Sequence, residues 1–272
     1  MAELISVIVS VYNRENALDA VLRGLSRQSD CGFEIVVADD GSGPPIANLI
    51  SRWTGNIKVP LIHVWQKDLG FRLAEIRNRA ISACRGSYCI FLDGDCIPRK
   101  DFVAAHRRLA EPGWFVAGNR VLLAREVTTD ILNVGLEPEL WNFVDWTAVR
   151  LRGQVNRVAP LLSLPLGPFR KLHSKLWQAA RGGNVAIAKR DLIAIDGFDA
   201  MFSGWGREDS DAFIRLIRCG VRCKSGRFST AVLHLWHSEN DRGQLTENDS
   251  RLRALIQSER VRAERGISTL VA

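Results

Sequence analysis

The sequence predicts an α/β fold with a mainly parallel central sheet flanked by helices. In the first half, β-branched apolar runs alternate with segments of helical periodicity, which is typical of a parallel sheet covered by helices. Residues 5–11 and 33–38 are largely apolar, as expected for strands buried on both faces. The 272 residues suffice for one large domain. We expect a single domain over residues 1–272, with a first half at 1–118 and a second at 119–272.

Composition is that of a soluble globular protein, with 46% hydrophobic and 25% charged residues. The net charge of +7 is compatible with binding to nucleic acid, to anionic lipid or to a phosphorylated small molecule. The six cysteines form no Cys-x-x-Cys pair, which favours free thiols in a reducing compartment. There is neither a signal-peptide pattern nor an apolar run of ~20 residues. We expect a cytoplasmic protein that can lie against a membrane.

Polar residues follow three of the four strands predicted in the first half. Tyr12 and Arg14 follow the first strand, Asp39 and Asp40 close the second, and Asp93 ends the fourth. Open α/β sheets bind ligands at the carboxyl edge of their strands. Carboxylates there can accept hydrogen bonds from a ribose or a base, although Asp-Asp-Gly-Ser at 39–42 also makes a good turn.

The apolar run at 89–92 leads into Asp93-Gly94-Asp95. Carboxylates at this spacing can hold a divalent cation while leaving coordination positions open for water or phosphate. A surface loop carrying two solvated acids is the alternative interpretation. The motif alone does not decide between the two.

Two arginines, Arg72 and Arg77, lie at the start of a predicted helix over residues 73–84. Guanidinium groups pair with phosphates, so both can reach a diphosphate; the alternative is a charged helix face in water. There is no Gly-x-x-x-x-Gly-Lys-Ser/Thr or Gly-x-Gly-x-x-Gly loop, which disfavours a P-loop nucleotidase and a Rossmann dehydrogenase.

The second half carries Gly204-Trp205-Gly206-Arg207-Glu208-Asp209. Glycines permit close approach of a substrate, and an exposed Trp offers an apolar face to a sugar ring. A carboxylate beside that ring can take a proton from a bound hydroxyl. Further along, His234 and His237 are candidate metal ligands. The remaining three histidines receive no role.

The segment 147–181 mixes basic with apolar residues and has no clear core pattern. Such a mixture suits an anionic membrane surface or a charged acceptor. A solvated loop is the alternative. After it, the pattern predicts a helix at 209–219 ended by Gly220, and a charged helix at 248–265.

The ordered set of motifs resembles family 2 glycosyltransferases of the GT-A fold over about residues 4 to 240. The motifs that carry the resemblance are residues 10–14, 37–42, 93–95, 182–184 and 204–209. The second half is similar to the acceptor-side region of β-1,4-galactosyltransferases and bacterial chondroitin polymerase. The resemblance implies a sugar-nucleotide donor, most often UDP-linked, and a Mn²⁺ or Mg²⁺ ion. It also implies a nucleotide-binding first half and an acceptor-binding second half.

Site residues follow from the resemblance and from the patterns above. The expected nucleotide-binding residues are Tyr12, Arg14, Asp39, Asp40, Arg72, Arg77 and Asp93. The expected metal ligands are Asp95, His237 and His234, the last standing where galactosyltransferases have a methionine. Asp209 is expected to be the general base and Glu208 its acceptor-binding neighbour, and the expected acceptor contacts are Gly183, Asn184, Trp205 and Asp211. Asn184 and the segment 147–181 depart from the galactosyltransferase pattern.

The sequence therefore predicts an inverting, metal-dependent glycosyltransferase. It would move a hexose or N-acetylhexosamine from a UDP-sugar to a saccharide or glycolipid acceptor, in bacterial surface polysaccharide or lipopolysaccharide synthesis. The alternative is a catalytically silent nucleotide-sugar-binding subunit. A nucleic-acid partner is not expected, because the basic residues are scattered and no nucleic-acid-binding motif occurs.

Overall fold

The structure is a computed structural model and describes residues 4–239 and 241–270. Its strands are β1 Ile5–Val11, β2 Phe33–Asp39, β3 Leu61–Trp65, β4 Tyr88–Asp93, β5 Cys96–Pro98, β6 Trp114–Ala117, β7 Arg120–Leu122, β8 Asn184–Ala188, β9 Arg222–Ser225 and β10 Val232–His234. Its α-helices are α1 Glu15–Ser26, α2 Pro44–Thr54, α3 Leu73–Ala83, α4 Phe102–Leu109, α5 Arg125–Asn133, α6 Phe143–Leu151, α7 Lys189–Ala194, α8 Glu208–Arg218 and α9 Leu245–Gln257.

A seven-stranded sheet forms the centre of the molecule, in the order β3-β2-β1-β4-β8-β6-β9. Its strand pairs are parallel except where β8 lies antiparallel between β4 and β6. The predicted α/β class and the mainly parallel sheet are therefore confirmed. Because β8 and β9 come from the second half of the chain, the sheet extends beyond residues 1–118.

Helices cover both faces of this sheet. Because neighbouring residues in a strand point to opposite sides, each strand contributes to two cores. Val7 belongs to the core that includes the apolar faces of α1, α2 and α4. Ile8, the next residue, belongs to the core that includes α3 and α8. Burial on both sides explains why the first two strands are almost wholly apolar.

The C-terminal helix is shorter than the predicted span 248–265. It ends at Gln257, because the backbone of Ser258 is extended, with φ -100° and ψ 175°. Further along, the backbone N–H groups of Glu264 and Arg265 donate to the buried carboxylate of Asp199. Helix α8 ends before Gly220, which has the positive φ of 85° that favours glycine. Among the residues described, no helix combines the length and apolar character required to cross a bilayer.

Asn184 opens β8 and is buried, with 1% of its surface exposed. Its Nδ2 donates to the carbonyls of Asn119 at 3.0 Å and Thr230 at 2.6 Å, and its Oδ1 lies 3.2 Å from His106 Nε2. The expectation that Asn184 contacts an acceptor does not fit the structure, since all its polar atoms are used internally. Asn184 instead ties β8 to its neighbours.

We predict that Asn184→Ala lowers the free energy of unfolding by about 1–3 kcal/mol, because it leaves buried carbonyls without a donor. Urea unfolding of both proteins measures this. The control is Asn56→Ala, since Asn56 is exposed and its amide donates only within its own helix end, to the Arg52 carbonyl; a change within about 0.5 kcal/mol is expected there. Equal effects of the two substitutions would contradict the internal role of Asn184.

Candidate functional site

The candidate site lies at the carboxyl edge of the parallel strands. Strand β1 pairs with β2 and with β4, so that Val11 lies beside Asp39 and Ser10 lies beside Asp93. The strand ends predicted to carry functional residues therefore meet at one edge, where α/β sheets bind ligands.

Asp95, His234 and His237 form a cluster whose candidate ligand atoms all lie within 4.8 Å of one another. Asp95 Oδ1 is 3.7 Å from His234 Nε2, and Asp95 Oδ2 is 3.5 Å from His237 Nε2. The fold thus brings together three predicted metal ligands that are up to 142 positions apart in the chain.

A small sheet, in the order β5-β10-β7, builds this cluster. Strand β10 pairs antiparallel with β5, which places His234 opposite Cys96, the residue after Asp95. The backbone N–H of Leu235 donates to the carbonyl of Asp95 at 2.9 Å. The histidine segment is therefore fixed to the aspartate by main-chain hydrogen bonds.

Both histidines are suited to binding a cation through Nε2. His237 Nδ1 lies 2.6 Å from the carbonyl oxygen of Ser238, which can only accept, so Nδ1 carries the proton and Nε2 offers a lone pair. Burial lowers the pKa of His234 and favours its neutral, ligating form. A carboxylate with two imidazoles fits a divalent transition-metal ion. Arg14 donates to Asp95 Oδ2 at 2.7 Å, so it lies at this cluster.

Asp93 is directed toward two arginines and not toward the histidines. Its Oδ1 lies 3.3 Å from Arg77 Nη2 and its Oδ2 lies 3.4 Å from Arg120 Nη1. A Cβ added at Gly183 would lie 1.9 Å from Asp93 Oδ2. The second glycine of the Gly182-Gly183 pair is therefore required by the position of Asp93, whatever contact it makes with an acceptor.

Glu208 and Asp209 begin helix α8 but have different environments. Glu208 is buried and its Oε1 lies 3.2 Å from Arg77 Nη1; burial, together with the charge of Asp209, raises the pKa of Glu208 to about 7. Asp209 is partly exposed, and its Oδ2 accepts from the backbone N–H of Gly182 at 2.9 Å. Of the two acids, Asp209 is the one accessible to a substrate hydroxyl.

Trp205 is 37% exposed and precedes these acids. The guanidinium of Arg242 lies 5.2 Å from its ring centroid, so a cation lies over the ring. Gly204 and Gly206 on either side have φ values of 70° and 101°, which glycine adopts without strain.

Asp39 and Asp211 do not occupy the positions that the sequence suggested. Asp39 is 1% exposed, and its oxygens accept from the Ser42 N–H at 2.8 Å and approach His63 Nε2 at 2.9 Å. Asp211 is fully buried and paired with Arg215. Both carboxylates are consumed inside the protein, so neither is available to a nucleotide or an acceptor.

Three other predicted nucleotide-binding residues have protein partners in this structure. Asp40 is nearly buried and accepts from the backbone N–H of Arg72 at 2.7 Å, and burial raises its pKa. The Arg72 side chain pairs with Glu75 on its own helix. The exposed Tyr12 donates its hydroxyl to Asp68 at 2.9 Å.

Two residues that the sequence did not single out take part in the site. Arg120 pairs with Asp93, and Ser10 Oγ lies 3.4 Å from Arg77 Nε. Ser10 lies in the first motif, but a serine within a strand is ordinary and did not indicate a role in the site. Arg120 reaches the site because β7 pairs with β10, a contact between residues more than 100 positions apart.

Comparison with known proteins identifies the fold. Two solved structures share the fold. The mannosyltransferase PcManGT from Pyrobaculum calidifontis, in complex with GDP-Man and Mn²⁺, has a TM-score of 0.59 and 19% identity, covering 94% of this chain and 62% of that one. S. aureus TarS 1–349 in complex with UDP has a TM-score of 0.63 and 16% identity, covering 97% and 67%. The predicted GT-A fold of glycosyltransferases is confirmed.

The family follows from sequence. Residues 6–144, about half of the chain, match the family model for glycosyl transferase family 2, and residues 169–238 match that for the N-terminal domain of galactosyltransferase. The chain belongs to glycosyl transferase family 2.

Curated relatives are longer than this chain. Escherichia coli chondroitin synthase is 29% identical over 242 residues, which is 81% of this chain and 33% of that protein. Validoxylamine A glucosyltransferase from Streptomyces hygroscopicus subsp. limoneus is 30% identical over 244 residues, which is 84% and 51%. The chain thus spans from a third to about half of the length of these relatives.

Proposed function

We propose that the chain is an inverting glycosyltransferase that moves a hexose or N-acetylhexosamine from a UDP-sugar to a saccharide or glycolipid acceptor. The observation that carries this proposal is the connection between the cation-binding cluster and the acids of α8. Arg77 contacts both Asp93, two residues before Asp95, and Glu208, the neighbour of Asp209. A donor bound at the cation-binding cluster and an acceptor bound at the acids of α8 would therefore lie next to each other.

Asp209 acts as the general base. It takes the proton of the acceptor hydroxyl while that oxygen attacks the anomeric carbon on the face opposite the nucleotide. The hydrogen bond from the Gly182 N–H holds one carboxylate oxygen, which orients the group. Because Asp209 is partly exposed, its carboxylate is accessible for this transfer.

Asp95, His234 and His237 would hold a divalent ion, which supplies electrostatic stabilisation of the departing diphosphate when bound. Two imidazole nitrogens disfavour Mg²⁺, which prefers oxygen ligands, so we assign Mn²⁺ as the more tightly bound ion. Tyr12, Arg14 and Asp40 remain our candidates for contacts with the nucleotide, and Trp205 for a contact with the acceptor.

The segment 147–181 contains no Asp or Glu and seven Arg or Lys residues. Arg170 is buried and donates to the carbonyls of Ser225 and Arg227, and Lys171 pairs with Glu111, so these two cations are used internally. Other basic side chains are exposed: Arg150, Arg152, Arg157, Lys175 and Arg181. Exposed apolar side chains accompany them: Leu151, Leu162, Leu164, Phe169, Leu172 and Leu176.

This combination of exposed cations and apolar side chains fits the surface of an anionic bilayer. We assign the segment 147–181 to peripheral contact with the cytoplasmic face of a bacterial membrane. Such contact would bring the site to a lipid-linked acceptor and suits synthesis of surface polysaccharide or lipopolysaccharide.

For the base, we predict that Asp209→Asn lowers kcat by about 10²- to 10⁴-fold while UDP binding is retained. The amide keeps the shape of the carboxylate but cannot take the proton. Release of UDP and formation of the glycosidic bond measure transfer, and calorimetry measures UDP affinity. Asp130→Asn, at an exposed aspartate on α5, is the control and should retain transfer. Normal turnover by Asp209→Asn would rule out the assignment.

For the ion, Asp95→Ala and His237→Ala should each weaken Mn²⁺ binding at least about tenfold, measured by calorimetry without donor. His173→Ala, at an exposed histidine outside the site, should leave Mn²⁺ binding unchanged. Removal of the ion by a chelator should also weaken UDP binding. The ligand assignment is wrong if Mn²⁺ binds equally well to all of these variants.

For the membrane, sedimentation with vesicles should show binding to phosphatidylcholine mixed with phosphatidylglycerol and little to phosphatidylcholine alone. The variant Phe169→Ser/Leu172→Ser should lose this binding, and Lys175→Gln should weaken it about fivefold, corresponding to about 1 kcal/mol per cation. Val134→Ser, at an exposed apolar residue outside the segment, is the control. Equal binding to neutral and anionic vesicles would contradict the assignment.

A further inference from the structure

Arg77 is almost completely buried, with 1% of its surface exposed, although its sequence context suggested a nucleotide contact. Its guanidinium carbon lies 5.9 Å from the ring centroid of Phe91 and 5.3 Å from that of Phe198. The centroids of these two rings lie 5.1 Å from each other, so the guanidinium packs against a pair of adjacent aromatic side chains. A residue packed in this way contributes a fixed charge and geometry, not an adjustable contact.

The partners of Arg77 come from segments that are far apart in sequence. Its Nη2 lies 3.3 Å from Asp93 Oδ1 and 3.3 Å from the Gly182 carbonyl oxygen, and its Nη1 lies 3.2 Å from Glu208 Oε1. A single side chain thus joins the end of β4, the glycine pair before β8 and the start of α8.

Gly182 relays this contact to the proposed base. Its carbonyl accepts from Arg77, while its N–H donates to Asp209 Oδ2 at 2.9 Å. A Cβ added at Gly182 would lie 2.9 Å from Arg77 Nη1 and 3.2 Å from the Cβ of Asp209. There is no room for a side chain between the arginine and the base, so both are located by the same peptide.

The turn before α8 has an uncommon backbone conformation. Arg207 has a φ of 81°, a left-handed conformation that is uncommon for residues other than glycine. Such a conformation persists only where surrounding contacts determine it. Those contacts are the Arg207 ion pair with Asp249 on α9 and, on the next residue, the Glu208 ion pair with Arg77.

We propose that Arg77 is a positioning residue, which fixes Asp209 relative to Asp93 by holding Glu208 and the Gly182 peptide. This inference rests on the proposed function, since it concerns the distance between donor and base. It differs from the nucleotide contact that the family resemblance implies, because the Arg77 side chain is almost completely buried and both of its terminal nitrogens are occupied by protein groups.

Arg77→Lys tests the proposal, because lysine keeps the charge but not the planar fork that reaches several partners at once. Arg215→Lys is the matched control: Arg215 is fully buried on α8, pairs with Asp211 at 2.7 Å and donates to carbonyls away from the site. Both variants should unfold more easily than the native protein. Only Arg77→Lys should lower kcat, by about 100-fold, as expected for a base displaced by about 1 Å.

Three measurements separate positioning from other roles. The UDP affinity of Arg77→Lys should fall much less than kcat. Hydrogen exchange at residues 205–209 should accelerate more in Arg77→Lys than in Arg215→Lys. The effects of Arg77→Lys and Glu208→Gln on kcat should be less than multiplicative when combined, since the two residues act through one contact.

The outcomes that overturn the proposal are distinct. Equal loss of UDP affinity and of kcat/KM would make Arg77 a nucleotide contact. Equal exchange and equal kcat in the two lysine variants would reduce Arg77 to a structural role. If the native protein transferred no sugar, the proposed function would fail, while the exchange measurement would still decide whether Arg77 holds the start of α8.

Discussion

The site depends on the sharing of a few arginines among carboxylates that would otherwise repel one another. Asp93 lies between Arg77 and Arg120, and Glu208 shares Arg77 with it. Asp95 is paired with Arg14. Each acid thereby gains an opposite charge at close range, which offsets the cost of bringing like charges together in a partly buried place. The spacing of these pairs also explains the glycines at 182 and 183, because side chains there would force the charges apart.

A second constraint is the three-stranded sheet beside the main one. It brings β10 against β5, so that the histidines meet Asp95 through main-chain hydrogen bonds and not through side-chain contacts alone. His234 lies within β10 and Asp95 directly precedes β5, so the pairing of these two strands fixes the two side chains relative to each other. The cluster is therefore prepared by the fold, and the protonation of His237 Nδ1, fixed by the Ser238 carbonyl, leaves the ligating nitrogen directed at the aspartate.

Much of this arrangement could be predicted from local pattern. Apolar runs indicated the first four strands, and polar residues after them indicated the ligand-binding edge. What the sequence could not show is which polar residues lie inside. Asn184 and Asp211 have the residue types of functional groups, yet each is consumed by an internal partner. The partner of Asn184, His106, lies 78 positions away, and no local pattern encodes that contact. The antiparallel β8 was missed for the same reason, since its pairing is with strands distant in sequence.

Arg14 and Arg77 both contact the aspartate pair, but their side chains differ in conformational freedom. Arg14 is 35% exposed and follows β1 on a loop, so its contact with Asp95 Oδ2 can be exchanged at little cost. Arg77 is buried against two adjacent aromatic rings and could not move without breaking contacts to three segments. A divalent cation at Asp95 would compete with Arg14 for the same carboxylate oxygen, and the released guanidinium would be free to pair with a phosphate. Asp93, held by the fixed arginine, would keep its position throughout. The two carboxylates of one short motif are thus paired with arginines that differ in mobility.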